Sequence, residues 1–181
     1  MGEDVTTSRS QSSLRHASLA DARAIAEVQI HTWRLAYAGV VPAEFLQQLD
    51  VGRREAYWAD AIGNLAEADR PWVAESDGFL VGFISFGSAH DGDDDRRTGE
   101  IYSVYVHPDS WSRGIGRDLM AHAVADLRSH GYTSATLWVL AGNRRARAFY
   151  KHLGWKSDGN TRTETLGGID LVAMRYGFSL P

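Results

Sequence analysis

Between residues 100 and 155 the chain carries two short runs whose residue types suit chemistry. The first is Arg113, Gly114, Ile115, Gly116 and Arg117; the second is Asn143, Ala146, Phe149 and Tyr150. A turn through glycines from a strand into a helix leaves backbone N–H groups without intrahelical partners, all aimed at one spot. Such a spot binds an anion, and Arg113 and Arg117 supply charge to match it. Gly114 and Gly116 keep side chains out of the anion's way.

Three phosphate chemistries compete for that turn. A nucleoside-triphosphate loop needs Lys then Ser or Thr after its second glycine, and here Arg117 and Asp118 follow. A dinucleotide fingerprint needs a third glycine where Leu119 stands, and an acidic residue where the next strand ends at Leu140 and Ala141. What remains is a pyrophosphate held by the amides of residues 113 to 117, with an ordinary, merely close-packed helix start as the plain alternative. In the second run, Asn143, Ala146 and Tyr150 fall on one helical face and Phe149 on the adjoining one. Taken alone, such a tyrosine reads as core filling or as an acid.

The elements that must position these residues follow from periodicity. Residues 114 to 129 place Ile115, Leu119, Met120, Ala123 and Leu127 on a broad helical stripe ended by Gly131, and residues 143 to 153 form a second helix stopped by Gly154. Strands are predicted at 14–17, 72–75, 79–86, 100–106, 133–140, 162–166 and 169–176, with turn signals at Asp77–Gly78 and Gly167–Gly168. Ser18 and Asp21 start a helix to about residue 37, and 42–49 and 51–62 read as two shorter ones. The order predicts an α/β (α+β) fold, a mixed central sheet of about seven strands flanked by helices.

Composition narrows the function further. A formal charge of −4 and a pI near 5.9 give no global basic field for a nucleic acid, and no cysteine is present for a thiolate site or disulfide. The seven histidines show no ligand spacing, so no metal is expected. Residues 1 to 12 read as a disordered polar tail and 13 to 181 as one domain; with no apolar leader or span, the expected setting is cytoplasmic, away from membranes. The run Asp91 to Asp95 reads as a solvated loop.

The two runs together resemble the GNAT (general N-acetyltransferase) superfamily, over most of the chain and most strongly from Glu100 to Trp155. The turn is similar to the family's Arg/Gln-x-x-Gly-x-Gly/Ala cradle for the pyrophosphate of acetyl-CoA, with one departure: Trp111 stands where Arg or Gln is usual. The resemblance implies that Val104, Tyr105 and Val106 offer backbone to the pantetheine arm and that an N–H near Tyr105 or Val106 meets the oxyanion. It implies that Asn143, Ala146 and Phe149 border the cofactor, that Tyr150 protonates the departing thiolate and that Glu100 takes the amine proton, usually through water. A phenol is protonated at neutral pH and its acidity lies close to a thiol's, which suits that step.

Acetyl-CoA is thus the expected donor, and the acceptor a primary amine of a small molecule or peptide; a non-catalytic acyl-CoA sensor is the alternative. Trp33, Arg34 and Tyr37 form an aromatic and cationic cluster expected on the acceptor side. The protein is expected to act as a monomer or homodimer.

Overall fold

Left-handed turn residues decide where the strands reverse. Asp77 and Gly78, with φ of 52° and 81°, close one hairpin, and Gly167 and Gly168, at 60° and 79°, close another. Two consecutive positive φ values match the twist of paired strands, which is why Asp-Gly and Gly-Gly occur there. The computed structural model describes residues 12 to 90 and 97 to 181. The predicted tail, up to residue 11, and the acidic run Asp91 to Asp95 lie outside the described residues.

The order is β1 (Ser13–His16), α1 (Ala22–Ala36), α2 (Ala43–Gln47), α3 (Val51–Gly63), β2 (Trp72–Ser76), β3 (Phe79–Ser88), β4 (Thr98–Val106), α4 (Ile115–Ser129), β5 (Ser134–Leu140), α5 (Arg144–His152), β6 (Lys156–Leu166) and β7 (Ile169–Ser179). The strands form one sheet in the order β1-β2-β3-β4-β5-β7-β6, antiparallel except where β4 meets β5. This is the mixed seven-stranded α/β arrangement expected from the sequence.

Strand starts differ most from the expected bounds at two strands, while β3 and β7 run on to Ser88 and Ser179. β4 begins at Thr98 rather than at Glu100, and β6 begins at Lys156, well before the expected Arg162. The early part of β6 is an edge segment exposed on every residue, with a register shift between Ser157 and Thr161. Such a segment has no apolar alternation to reveal it.

Two cores hold the sheet between its helices. On one face Leu119, Met120, Ala123 and Leu127 of α4 bury against Ile84, Ile101 and Leu137, with Phe149 of α5 and Leu153 just after it alongside. On the other, Ile25, Ala26 and Val28 of α1 and Trp58 and Ile62 of α3 enclose Val73 and Phe83. At about 0.8 kcal/mol per buried methylene, these two layers dominate the fold's stability. They also fix α4 and α5 side by side over the point where β4 and β5 meet. No helix among the described residues is long and apolar enough to cross a membrane.

Candidate active site

β4 and β5 pair for only four residues, Thr98–Ile101 against Ser134–Leu137, and then part. β4 still follows β3 as far as Val106 opposite Gly82, and β5 still follows β7 as far as Leu140 opposite Ala173. Each strand therefore keeps one partner and turns an unpaired edge toward the other. A chain bearing amide groups can complete those edges, the physics of strand addition. The slot belongs to a cleft of about 600 Å³ lined by Val104, Tyr105, Val106, Gly114, Ile115, Gly116, Arg117, Asn143, Ala146, Phe149 and Tyr150. Arg113 is exposed and does not line it.

At one end lies the glycine turn. Ser112 and Gly114 both adopt left-handed backbone, φ of 63° and 91°, so the N–H groups that follow curl toward one side before α4 starts at Ile115. Alternating handedness of this kind forms an anion-binding nest, reinforced by the positive end of the helix dipole. A Cβ on Gly116 would sit 3.2 Å from the Phe149 ring, so this glycine also lets α4 and α5 approach. The Val106 carbonyl accepts from Trp111 Nε1 at 2.7 Å and from Thr32 Oγ1 at 3.0 Å. Two donors fill its lone pairs, so of the backbone groups expected to serve the pantetheine arm this one is already engaged.

At the other end stand phenols. Tyr150 is 8% exposed, and burial pushes its hydroxyl well above the usual tyrosine range, with Tyr105 adding to the effect. Burial also raises Tyr37 and Tyr105. All three are neutral donors near pH 7. Asn143 caps α5 through Oδ1, which accepts from the Ala146 N–H at 3.0 Å. One asparagine thus starts the helix that carries Tyr150, and it lines the same cleft as Tyr37 at the end of α1.

Glu100 is buried at 6% but sits elsewhere. Its Oε2 accepts from the His90 backbone N–H at 3.0 Å, and the side chain lines a second cavity of about 810 Å³ with Tyr57, Trp58, His90 and Arg162. Tyr102 lines both cavities, its hydroxyl pushed up to about 12 by burial and the Glu100 charge. It is also the extra residue of a bulge, since Ser103 pairs with Ser85 and Ile101 with Phe86. No Asp or Glu is among the described residues lining the first cleft.

The expected acceptor residues divide. Tyr37 lines the cleft, whereas Trp33 packs edge-on beneath it with ring centroids 5.0 Å apart. Arg34 donates to the carbonyls of Leu46 and Leu49 at the end of α2. Sequence reasoning missed Tyr102, Thr32 and Arg145 as lining residues. Their only signals were a tyrosine within the strand, a threonine on α1's apolar stripe and an arginine beside the asparagine cap. None of these stands out by spacing.

A model of the acetyltransferase (GNAT) family matches residues 29–155. The chain is 31% identical, over 72% of its own length and 72% of the relative's, to the uncharacterized N-acetyltransferase YuaI of Bacillus subtilis. It is 32% identical to the L-amino acid N-acyltransferase MnaT of Escherichia coli, covering 79% of this chain and 78% of that one. Among solved structures, YncA of Salmonella typhimurium with its cofactor acetyl-CoA superposes with a TM-score of 0.70 at 25% identity, covering 95% of each chain. The splayed strands, the glycine turn and these likenesses agree, and the chain belongs to the GNAT acetyltransferase family as an acyl-CoA-dependent N-acetyltransferase.

Proposed function

We propose that the protein moves an acetyl group from acetyl-CoA to a primary amine of a small molecule or peptide by direct attack in a ternary complex. One observation carries the reading: a single cleft has an anion nest at one end, an unpaired strand edge along its length and a buried, protonated phenol at the other end. Pyrophosphate, pantetheine and thioester fit those three features in order.

The neutral amine attacks the acetyl carbonyl, and the oxyanion is met by a backbone N–H on the free edge of β4. As the carbon–sulfur bond breaks, Tyr150 gives its proton to the departing thiolate. Burial weakens the phenol as an acid, and it destabilises a thiolate in the same dry cleft by the same mechanism, so the two stay matched. The ammonium proton leaves toward Glu100 through water, past Tyr102, which lines both the cleft and the cavity that holds Glu100. Solvent returns a proton to the phenolate, and the products are an amide and free CoA thiol.

Tyr37, in the cleft beside Asn143, faces the acceptor in this reading, with Trp33 as its support. Likeness to an L-amino acid N-acyltransferase makes α-amino acids the first acceptors to try. The test is release of free thiol from acetyl-CoA across a panel of amino acids, polyamines and peptides. Amine-dependent release by at least one acceptor is expected; CoA binding without such release for any of them would overturn the catalytic reading.

A further inference from the structure

The turn's one departure from the family pattern is not left empty. Trp111 directs its indole N–H to the Val106 carbonyl, which pins the ring, and the Arg145 guanidinium lies over that ring with its carbon 3.9 Å from the centroid. Arg145 reaches it from the first turn of α5, thirty-four positions away in the chain, and both residues line the acyl-CoA cleft. We propose that Arg145, shelved on Trp111, supplies the cationic contact to a CoA phosphate that an Arg at position 111 would otherwise make.

Two comparisons within the site support this. Arg117, the turn's own lining cation, is drawn to Asp118, Nε to Oδ1 3.3 Å, whereas Arg145 has no carboxylate partner among the described residues. Its charge is uncompensated at the rim of a cleft in a protein of net charge −4. The contact also fixes position. A guanidinium held 3.9 Å over the indole centroid is anchored by its cationic face, leaving its N–H groups free to fork onto an anion. With Arg117 on α4 and Arg145 on α5, a phosphate at the nest is flanked on both sides. The inference rests on the acyl-CoA reading above.

The experiment is calorimetric titration of the wild type, Arg145→Met and Arg145→Lys with CoA and with 3′-dephospho-CoA. Met keeps an apolar stem over the indole and removes the charge; Lys keeps the charge. A charge-assisted contact at an open site predicts CoA binding weakened about tenfold by Met and no more than about threefold by Lys. Equal loss for both ligands places the contact on the pyrophosphate. A loss with CoA alone places it on the 3′-phosphate. Trp111→Arg in the Arg145→Met background restores affinity to within about threefold, because the cation then returns from the turn itself. Wild-type binding with Arg145→Met within twofold of it overturns the inference and leaves the acyl-CoA reading standing; failure of the wild type to bind CoA overturns both. Unchanged melting temperatures of the unliganded variants separate these outcomes from misfolding.

Discussion

The two ends of the cleft solve different physical problems. At the turn the task is charge: Ser112, Gly114 and Gly116 are exposed or half-buried, and they act through backbone geometry, helix dipole and arginines. At the far end the task is moving a proton: Tyr150 is buried, Tyr37 and Tyr105 crowd it, and the carboxylate is held in a neighbouring cavity. Burial would ruin the first end by desolvating the phosphate's partners, and exposure would ruin the second by letting water compete for the proton. The difference teaches that damage at the two ends separates kinetically, binding at one and turnover at the other.

Tyr150→Phe is the sharpest break. It removes one oxygen and keeps the ring against Phe149 and Tyr176, so kcat should fall about 10² to 10³-fold while CoA affinity stays within about twofold. A change in affinity as large as the change in kcat would erase the distinction. Glu100→Gln is expected to lower kcat about 10 to 100-fold at neutral pH with donor affinity unchanged. Its deficit should shrink as pH rises toward 10. Each unit of pH rise toward the alkylammonium's own pKa gives roughly tenfold more neutral amine, so the need for a base fades. A deficit constant from pH 7 to 10 would make Glu100 a structural partner of the His90 loop rather than a base.

How far these ends were legible in the sequence differs for the same physical reasons. A backbone nest must be written in residue types that permit it, so Gly114 and Gly116 announce the turn; a helix face carries a period, so Asn143 and Tyr150 announce their stripe. Glu100 was visible as a residue, but its cavity was not, because the bulge at Tyr102 changes which way the strand's side chains point and a bulge leaves no mark in the hydrophobic pattern. Arg145 on Trp111 was hidden because a contact between two elements thirty-four positions apart has no period at all. Arg34 looked like a substrate cation and instead caps the end of α2, a use of charge that spacing does not separate from recognition.

Gly114→Val acts at the other end. Gly114 has φ of 91°, where a β-branched residue costs about 1 to 2 kcal/mol, and a Cβ there would come within 3.3 Å of Arg117 Nη2. The turn must re-form with its amides off target. Acetyl-CoA KM should rise about tenfold, while kcat at saturating donor changes less than about threefold. Read against Tyr150→Phe, the pair forms a double dissociation that steady-state kinetics at varied donor concentration resolves.

The smallest expected effect is a site that should disturb neither end. Asp21 takes both Nη atoms of Arg15 at 2.8 Å and the N–H and hydroxyl of Ser18 at 2.7 and 2.8 Å, and none of these three residues lines the cleft. The Arg15 fork first, then Ser18, holds its carboxyl down at about 2. A carboxyl depressed in the folded state and near 3.9 when unfolded stabilises the fold fully above about pH 4, and that contribution is lost as pH falls toward about 2. Arg15 is 40% exposed, so solvent screening trims the gain to about 1 to 2 kcal/mol. Asp21→Asn should therefore melt about 2 to 6 °C lower at pH 7, and the gap from wild type should close as pH is taken from about 4 toward about 2. Both kinetic constants should stay at their wild-type values. A fall in kcat would mean that the α1 end of the sheet, through Thr32 on the Val106 carbonyl, transmits strain to the slot, and the two ends of the cleft would no longer be independent of the frame that holds them.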